Sequence, residues 1–248
     1  LNVAQHSTND PLIRRLESIF PLADDERQAL QDLPMQIADI GADRDIVREG
    51  DRPSRCCLFL DGLGCAYKMT ADGRRQIVTF TIPGDIPDLQ SLHLNVLDTS
   101  IGTLEPSKVA FIQHEDMHKL CKHQYRIASA FWRETLVDAA IFRSWMLSIG
   151  QRAAYNRVAH LLCEMLVRME AVGLTEGHAC DLPITQAEFG DALGLSTVHV
   201  NRVLQQLRAE GLIATKGTRL IASDWDRLKE AGDFDSRYLH LKQHGATA

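Results

Sequence analysis

Between Leu182 and Ile221 the polar side chains fall at spacings suited to hydrogen bonding with a nucleic acid. Thr185-Gln186-Ala187-Glu188 has the form of a capping box, in which the Thr hydroxyl and the Glu carboxylate each satisfy an amide at a helix start. Gly194 permits a tight turn, and Ser196 is a good N-cap for a second helix over residues 197–209. Val200, Val203, Leu204 and Leu207 form the core face of that helix, and the opposite face offers Thr197, Val198, His199, Asn201, Arg202 and Gln205. Arg can give two hydrogen bonds to guanine, Asn can give two to adenine, and an aliphatic side chain can touch a thymine methyl. Thr197, Val198, His199, Asn201 and Arg202 are therefore the candidate base readers. Thr185, Gln186 and Ser196, with Lys216 and Thr218 at the tip of a hairpin over residues 212–221, suit phosphate contacts, which position a protein without reading sequence.

Charge alone does not make this case. Residues 182–221 hold four basic side chains (Arg202, Arg208, Lys216, Arg219) and three acidic ones (Glu188, Asp191, Glu210), and the whole chain carries a net charge of −6. That balance argues against an indiscriminate nucleic-acid binder and leaves room for one locally basic face. Enzyme chemistry has no comparable support: there is no nucleotide-binding Gly loop, no Gly-x-Ser-x-Gly and no His-Glu-x-x-His. Asp24-Asp25-Glu26 is more simply a helix start than a catalytic carboxylate pair.

The elements that must position these residues follow from periodicity. At 248 residues the default is two domains. Asp10 can cap a first helix with Pro11 at its first position and Leu12, Ile13, Leu16, Ile19 and Phe20 on one face. A second helix starts at Ala23-Asp24-Asp25-Glu26 and ends near Leu33-Pro34. From about residue 35 to 113 the pattern is short apolar runs at 45–48, 57–60, 64–68, 76–80, 100–104 and 109–113. Gly50-Asp51, Asp61-Gly62, Asp72-Gly73 and Pro83-Gly84 punctuate them, which points to an antiparallel roll, sandwich or barrel. Helical periodicity returns near His114. Ala128, Trp132, Thr135, Ala139, Phe142, Met146 and Ile149 then alternate steps of four and three, a heptad seam for packing along a second subunit. Val137, Ile141 and Trp145 lie off this seam and are placed to pack against the roll, with burial of the whole helix inside one subunit as the alternative. Gly150 is a candidate hinge, and a further helix carries Val158, Leu161, Leu162, Met165, Leu166 and Met169 before stopping at Gly173.

The segment from Ile184-Thr185-Gln186-Ala187-Glu188-Phe189-Gly190-Asp191-Ala192-Leu193-Gly194-Leu195-Ser196 through Val200-Asn201-Arg202-Val203-Leu204 resembles the two helices of the CRP/FNR regulators' helix-turn-helix. Upstream, Glu49-Gly50-Asp51, Leu58-Phe59-Leu60-Asp61-Gly62, Asp72-Gly73-Arg74 and Pro83-Gly84-Asp85 resemble that family's β-roll turns. Order and spacing agree from about Ile40 to Ile221. The resemblance implies an α+β chain: an N-terminal antiparallel β-roll (jelly-roll, cupin-like) with leading helices over 1–123, a dimerisation helix over 124–150, and a C-terminal winged helix-turn-helix over 151–248. It implies a cytoplasmic homodimer on a palindromic double-stranded DNA operator, with RNA polymerase as a further partner and no membrane. Arg202 matches the family's guanine-reading Arg, and Asn201 falls on a position that is often base-facing. Val198 stands where the family commonly has Glu, so a carboxylate that would accept from cytosine is lost and the usual half-sites do not carry over.

The effector stays open. Residues 76–125 contain no Arg, and Arg is the natural bidentate partner of a phosphate, so classical cyclic AMP binding is not expected. No Cys precedes Cys56, and adjacent Cys56 and Cys57 point to opposite faces of a strand, which disfavours an iron–sulfur cluster, and with no Cys-x-x-Cys pair no zinc site is indicated. Cys56, Cys57, Cys65, Cys121, Cys163 and Cys180 read as small buried apolar residues, with a redox role for one of them as the alternative. His93, His114, His118 and His123 keep haem ligation open beside the plainer reading of solvated or capping side chains. An uncharacterised small molecule, or no effector at all, completes the set. The polar N-terminus lacks the pattern of a signal peptide.

Overall fold

The structure, a computed structural model, describes residues 10–242. They divide into two compact units: one takes the residues up to Lys68, Thr79–Ala139 and those from His240 on, the other Met69–Val78 and Ala140–Leu239.

The first unit opens with α1 (Asp10–Ile19) and α2 (Asp24–Gln31). The start of α2 is closed by Glu26, whose carboxylate accepts from the Ala23 amide at 2.7 Å. Then come β1 (Gln36–Ile40), β2 (Asp45–Val47), β3 (Arg55–Asp61), β4 (Gly64–Met69), β5 (Arg75–Thr81), a 3-10 turn at Leu89–Leu92, β6 (Ser100–Thr103), β7 (Ser107–Gln113) and α3 (His114–His123). Two sheets form the roll, in strand order β1-β7-β3 and β2-β6-β4-β5. The continuous run Cys56-Cys57-Leu58-Phe59 is fully buried. Alternation along a strand explains this: Cys56 and Leu58 pack with Leu12, Leu16, Leu30, Ala110, Ile112 and Met117, while Cys57 and Phe59 point to the other face. A strand covered on both faces reads as an apolar run.

Strand β1 escaped the sequence reading. It is a mostly exposed strand held by β7 alone, in register from Gln36↔Phe111 to Ile40↔Ser107, so its pairing and not its pattern makes it a strand. Buried Arg15 of α1 ion-pairs with Asp85 at 3.0 Å and with Glu134 at 2.7 Å, joining α1, the Pro83-Gly84-Asp85 turn and the following long helix. At Gly84, with φ +99°, a Cβ would lie 2.5 Å from the Pro11 carbonyl oxygen, so this close approach to α1 requires glycine.

The long helix α4 (Tyr125–Gln151) is followed by α5 (Ala154–Ala171), β8 (Ala179–Asp181), α6 (Gln186–Leu193), α7 (Thr197–Ala209), β9 (Ile213–Lys216), β10 (Arg219–Ala222), α8 (Trp225–Gly232) and a 3-10 turn at Ser236–Leu239. One expectation is corrected here. Gly150 is not the break: α4 runs through it to Gln151, and the chain leaves helical geometry at Arg152 and Ala153. The Trp145 indole Nε1–H donates to Glu164 of α5 at 3.0 and 3.1 Å. Glu164 is fully buried and also accepts from the Tyr238 hydroxyl at 2.6 Å, while Tyr238 and Ser144 approach His160 Nε2 at 3.1 and 3.2 Å. This polar network ties α4, α5 and the C-terminal turn inside the second unit. Among the described residues no helix is long and apolar enough to cross a membrane.

Candidate nucleic-acid interface

The helix-turn-helix forms for the local reasons its residues dictate. Thr185 Oγ1 accepts from the Glu188 amide at 3.2 Å and Glu188 Oε2 accepts from the Thr185 amide at 2.6 Å, so both halves of the capping box are made. Gly194 closes α6 with φ +65°, the left-handed conformation that favours glycine. Ser196 Oγ accepts from the His199 amide at 3.3 Å and starts α7. Gly190, which the sequence reading passed over, is as demanding as Gly194: a Cβ there would sit 2.5 Å from the Leu195 carbonyl oxygen. The available signal was a glycine inside a helical span, unfavourable there unless something packs against it.

Val200, Val203, Leu204 and Leu207 are buried, which turns the rest of α7 outward. Thr197, Val198 and Arg202 are exposed, and His199 and Asn201 are half-buried. Val198 is 79% exposed, an aliphatic side chain at a helix start with nothing of its own unit to cover it. Arg202 has no ion-pair partner among the described residues. Asn201 and Gln186, expected to read a base and to hold a phosphate respectively, are brought together: the Asn201 amide donates to Gln186 Oε1 at 3.0 Å. The pair bridges α6 and α7 and fixes which way the Asn201 amide points.

The wing is the β9–β10 hairpin, in which Lys216 faces Arg219 across a Gly217-Thr218 turn. Gly217 has φ +61°. Lys216 and Thr218 are exposed at the tip, whereas Arg219 pairs with Glu176 at 2.5 Å and Arg208 donates to Thr215 Oγ1 at 3.2 Å. The short strand β8, missed from sequence, pairs with β10 and makes the wing a three-stranded sheet. The acidic Asp191 on α6 is paired with Arg75 at 2.8 Å, and Gln76 donates to the Ala192 carbonyl at 3.1 Å, so Arg75 and Gln76 of β5 belong to this unit. Among the described residues, Arg202 and Lys216 near the α7 start and the wing tip have no ion-pair partner.

The seam residues of α4 divide by exposure. Trp132, Phe142, Met146 and Ile149 are exposed, at 69%, 44%, 72% and 37%, while Thr135, Ala139 and Ala128 are half-buried. Leu136 and Leu147, also exposed, widen the stripe beyond the expected seam. Val137, Ile141 and Trp145 are buried.

In the roll, His93 and His118 lie with ring centroids 5.9 Å apart, His114 Nε2 is 2.9 Å from Ser91 Oγ, and His123 Nδ1 is 2.7 Å from the Lys119 carbonyl. Among the described residues no group of three or more His, Cys, Asp or Glu side chains is arranged to hold a metal ion. None of the six cysteines is in a disulfide. Burial pushes the Cys56 and Cys163 thiols up to about 12 and the Cys180 thiol to about 11, so at neutral pH these groups are thiols, not the reactive thiolates.

Two family models match the chain: a cyclic nucleotide-binding domain over residues 39–124 and a Crp-like helix-turn-helix domain over residues 156–231. The transcriptional activator protein FnrL of Cereibacter sphaeroides is 28% identical over 200 residues, covering 77% of this chain and 79% of that protein. The nitrogen fixation regulation protein FixK of Rhizobium meliloti is 26% identical, covering 76% of this chain and 82% of that one. Among solved structures, FixK2 from Bradyrhizobium japonicum superimposes with a TM-score of 0.73 at 26% identity, covering 80% of this chain and 98% of that chain.

Proposed function

The chain belongs to the CRP/FNR family of DNA-binding transcription regulators, and we propose that it binds a palindromic operator as a homodimer, with each α7 lying in a major groove. The observation that carries this is the α7 surface: a buried aliphatic face, a Ser-capped N-terminus, and Thr197, Val198 and Arg202 turned outward. Thr197, Val198, His199, Asn201 and Arg202 read bases. Thr185, Gln186, Ser196, Lys216 and Thr218 hold phosphates. A second subunit covers Trp132, Thr135, Ala139, Phe142, Met146 and Ile149. The functional division is roll and leading helices over 1–123, dimerisation helix over 124–150 and DNA-binding domain over 151–248. RNA polymerase is a partner, supported by relatives described as transcriptional activators, and the protein acts in the cytoplasm.

Selection of operators from a random DNA pool with the purified chain tests this reading. The expected product is a two-fold symmetric site with half-site centres about one helical turn apart, and with a half-site that departs from family habit where Val198 faces it. A selected site without symmetry would overturn the dimeric reading, and no enrichment from a folded dimer would mean that operator binding requires an effector.

A further inference from the structure

The roll holds a cleft of about 370 Å³ that the DNA-facing residues do not touch. That volume lies at the small end of the range for small-molecule sites. The loop before β3 supplies Arg52, Ser54 and Arg55 to its lining, β7 supplies Phe111, and Asp88 borders it from the interior. The Arg55 guanidinium lies 3.8 Å over the Phe111 ring. Stacking of this kind holds the guanidinium plane while leaving its N–H edge to donate. Arg52 and Arg55 are exposed and have no ion-pair partner among the described residues. Asp51 also lines the cleft, but its carboxylate already accepts from the Arg48 amide at 2.8 Å.

Asp88 is the unusual member. It is wholly buried; Oδ1 accepts from the Cys57 amide at 2.8 Å, and Oδ2 has no hydrogen-bond partner. Buried polar atoms are nearly always satisfied, and an exception asks for an explanation. Burial pushes this carboxyl up to about 7. Burial thus favours the neutral form of this carboxyl. Two guanidinium groups without an ion-pair partner among the described residues are the complement of an oxyanion.

We propose that this cleft binds a small organic anion, carrying a carboxylate or a phosphate ester, through Arg52 and Arg55, with Phe111 against the ligand's apolar part and the buried Asp88 carboxyl behind the site. These arginines come from the loop before β3, whereas the segment following Pro83-Gly84-Asp85 has none as far as Tyr125. The site rests on the roll alone and stands whether or not the DNA reading does.

Calorimetric titration of the full chain with inorganic sulfate and with succinate tests it, sulfate standing for a phosphate group and succinate for a carboxylate. Saturable binding of either supports the site and tells the two ligand classes apart. Arg55→Ala and Arg52→Ala, both exposed positions, should each weaken it roughly tenfold, as expected for a charge-assisted hydrogen bond. Affinity for sulfate, whose charge is constant, should fall as pH rises through about 7 and Asp88 becomes anionic. Asp88→Asn, which stays neutral, should bind without that pH dependence. Absence of saturable binding of both probes to the folded protein overturns the proposal. So does binding unchanged in both arginine variants, which would mean an adventitious ion only.

Discussion

Arg202 combines exposure, freedom from an internal ion pair and a position on the outward face of a Ser-capped helix. Truncation to Ala is expected to cost roughly 1–3 kcal/mol of operator affinity and to relax base preference at one position of the half-site, read by binding to a panel of single-base operator variants. Unchanged preference would remove Arg202 from the base-reading set. Asn201 lies beside it on the same helix, yet its side-chain amide is engaged with Gln186 at 3.0 Å; which hydrogen bonds a side chain makes depends on a neighbour fifteen residues away. His160 shows the same dependence. Burial lowers its imidazole from an ordinary 6.5 to about 4. Between those values the unfolded chain takes up a proton that the folded chain refuses, so this residue's contribution is present above pH 6.5 and is lost as pH falls toward 4. Thermal unfolding across that window should show midpoints falling with acid, with a shallower slope in His160→Gln whatever its overall stability.

At the scale of elements, packing geometry singles out two positions. Gly190 lets α6 approach the Leu195 carbonyl, and a Cβ at 2.5 Å cannot be accommodated without moving backbone. Gly190→Ala, ordinarily favourable inside a helix by about 1 kcal/mol, should here destabilise the second unit and weaken operator binding, measured by chemical unfolding and by DNA titration. On α4, Phe142 is 44% exposed in a stripe with Trp132 and Met146. Exposed apolar area of this extent is unfavourable unless a partner covers it, so Phe142→Glu should give folded monomers by sedimentation. A folded dimer would exclude the proposed seam. The structure makes this stripe broader than the heptad arithmetic did, because Leu136 and Leu147 are exposed as well.

At the scale of the whole molecule, several features were legible in the chain because they rest on local rules. Capping residues, turn glycines and the helical and strand periods are properties of a few neighbouring residues, and they located the capping box at Thr185, the turn at Gly194, the buried face of α7, six of the roll strands and the long helix. Tertiary structure decided what local rules cannot reach. Strand β1 exists because β7 offers it a register. Helix α4 continues through Gly150 because the cost of one glycine is small beside that of breaking a well-packed helix, and Trp145 turns to α5 because a buried carboxylate, Glu164, accepts its N–H. Arg52, Arg55 and Asp88 were unremarkable in the sequence and meet around one cleft only when the roll closes. The sequence by itself determined the class of molecule and the helix-turn-helix, since both depend on short-range patterns. The fold decided which polar groups are free to act, because burial and partners are set by residues distant along the chain.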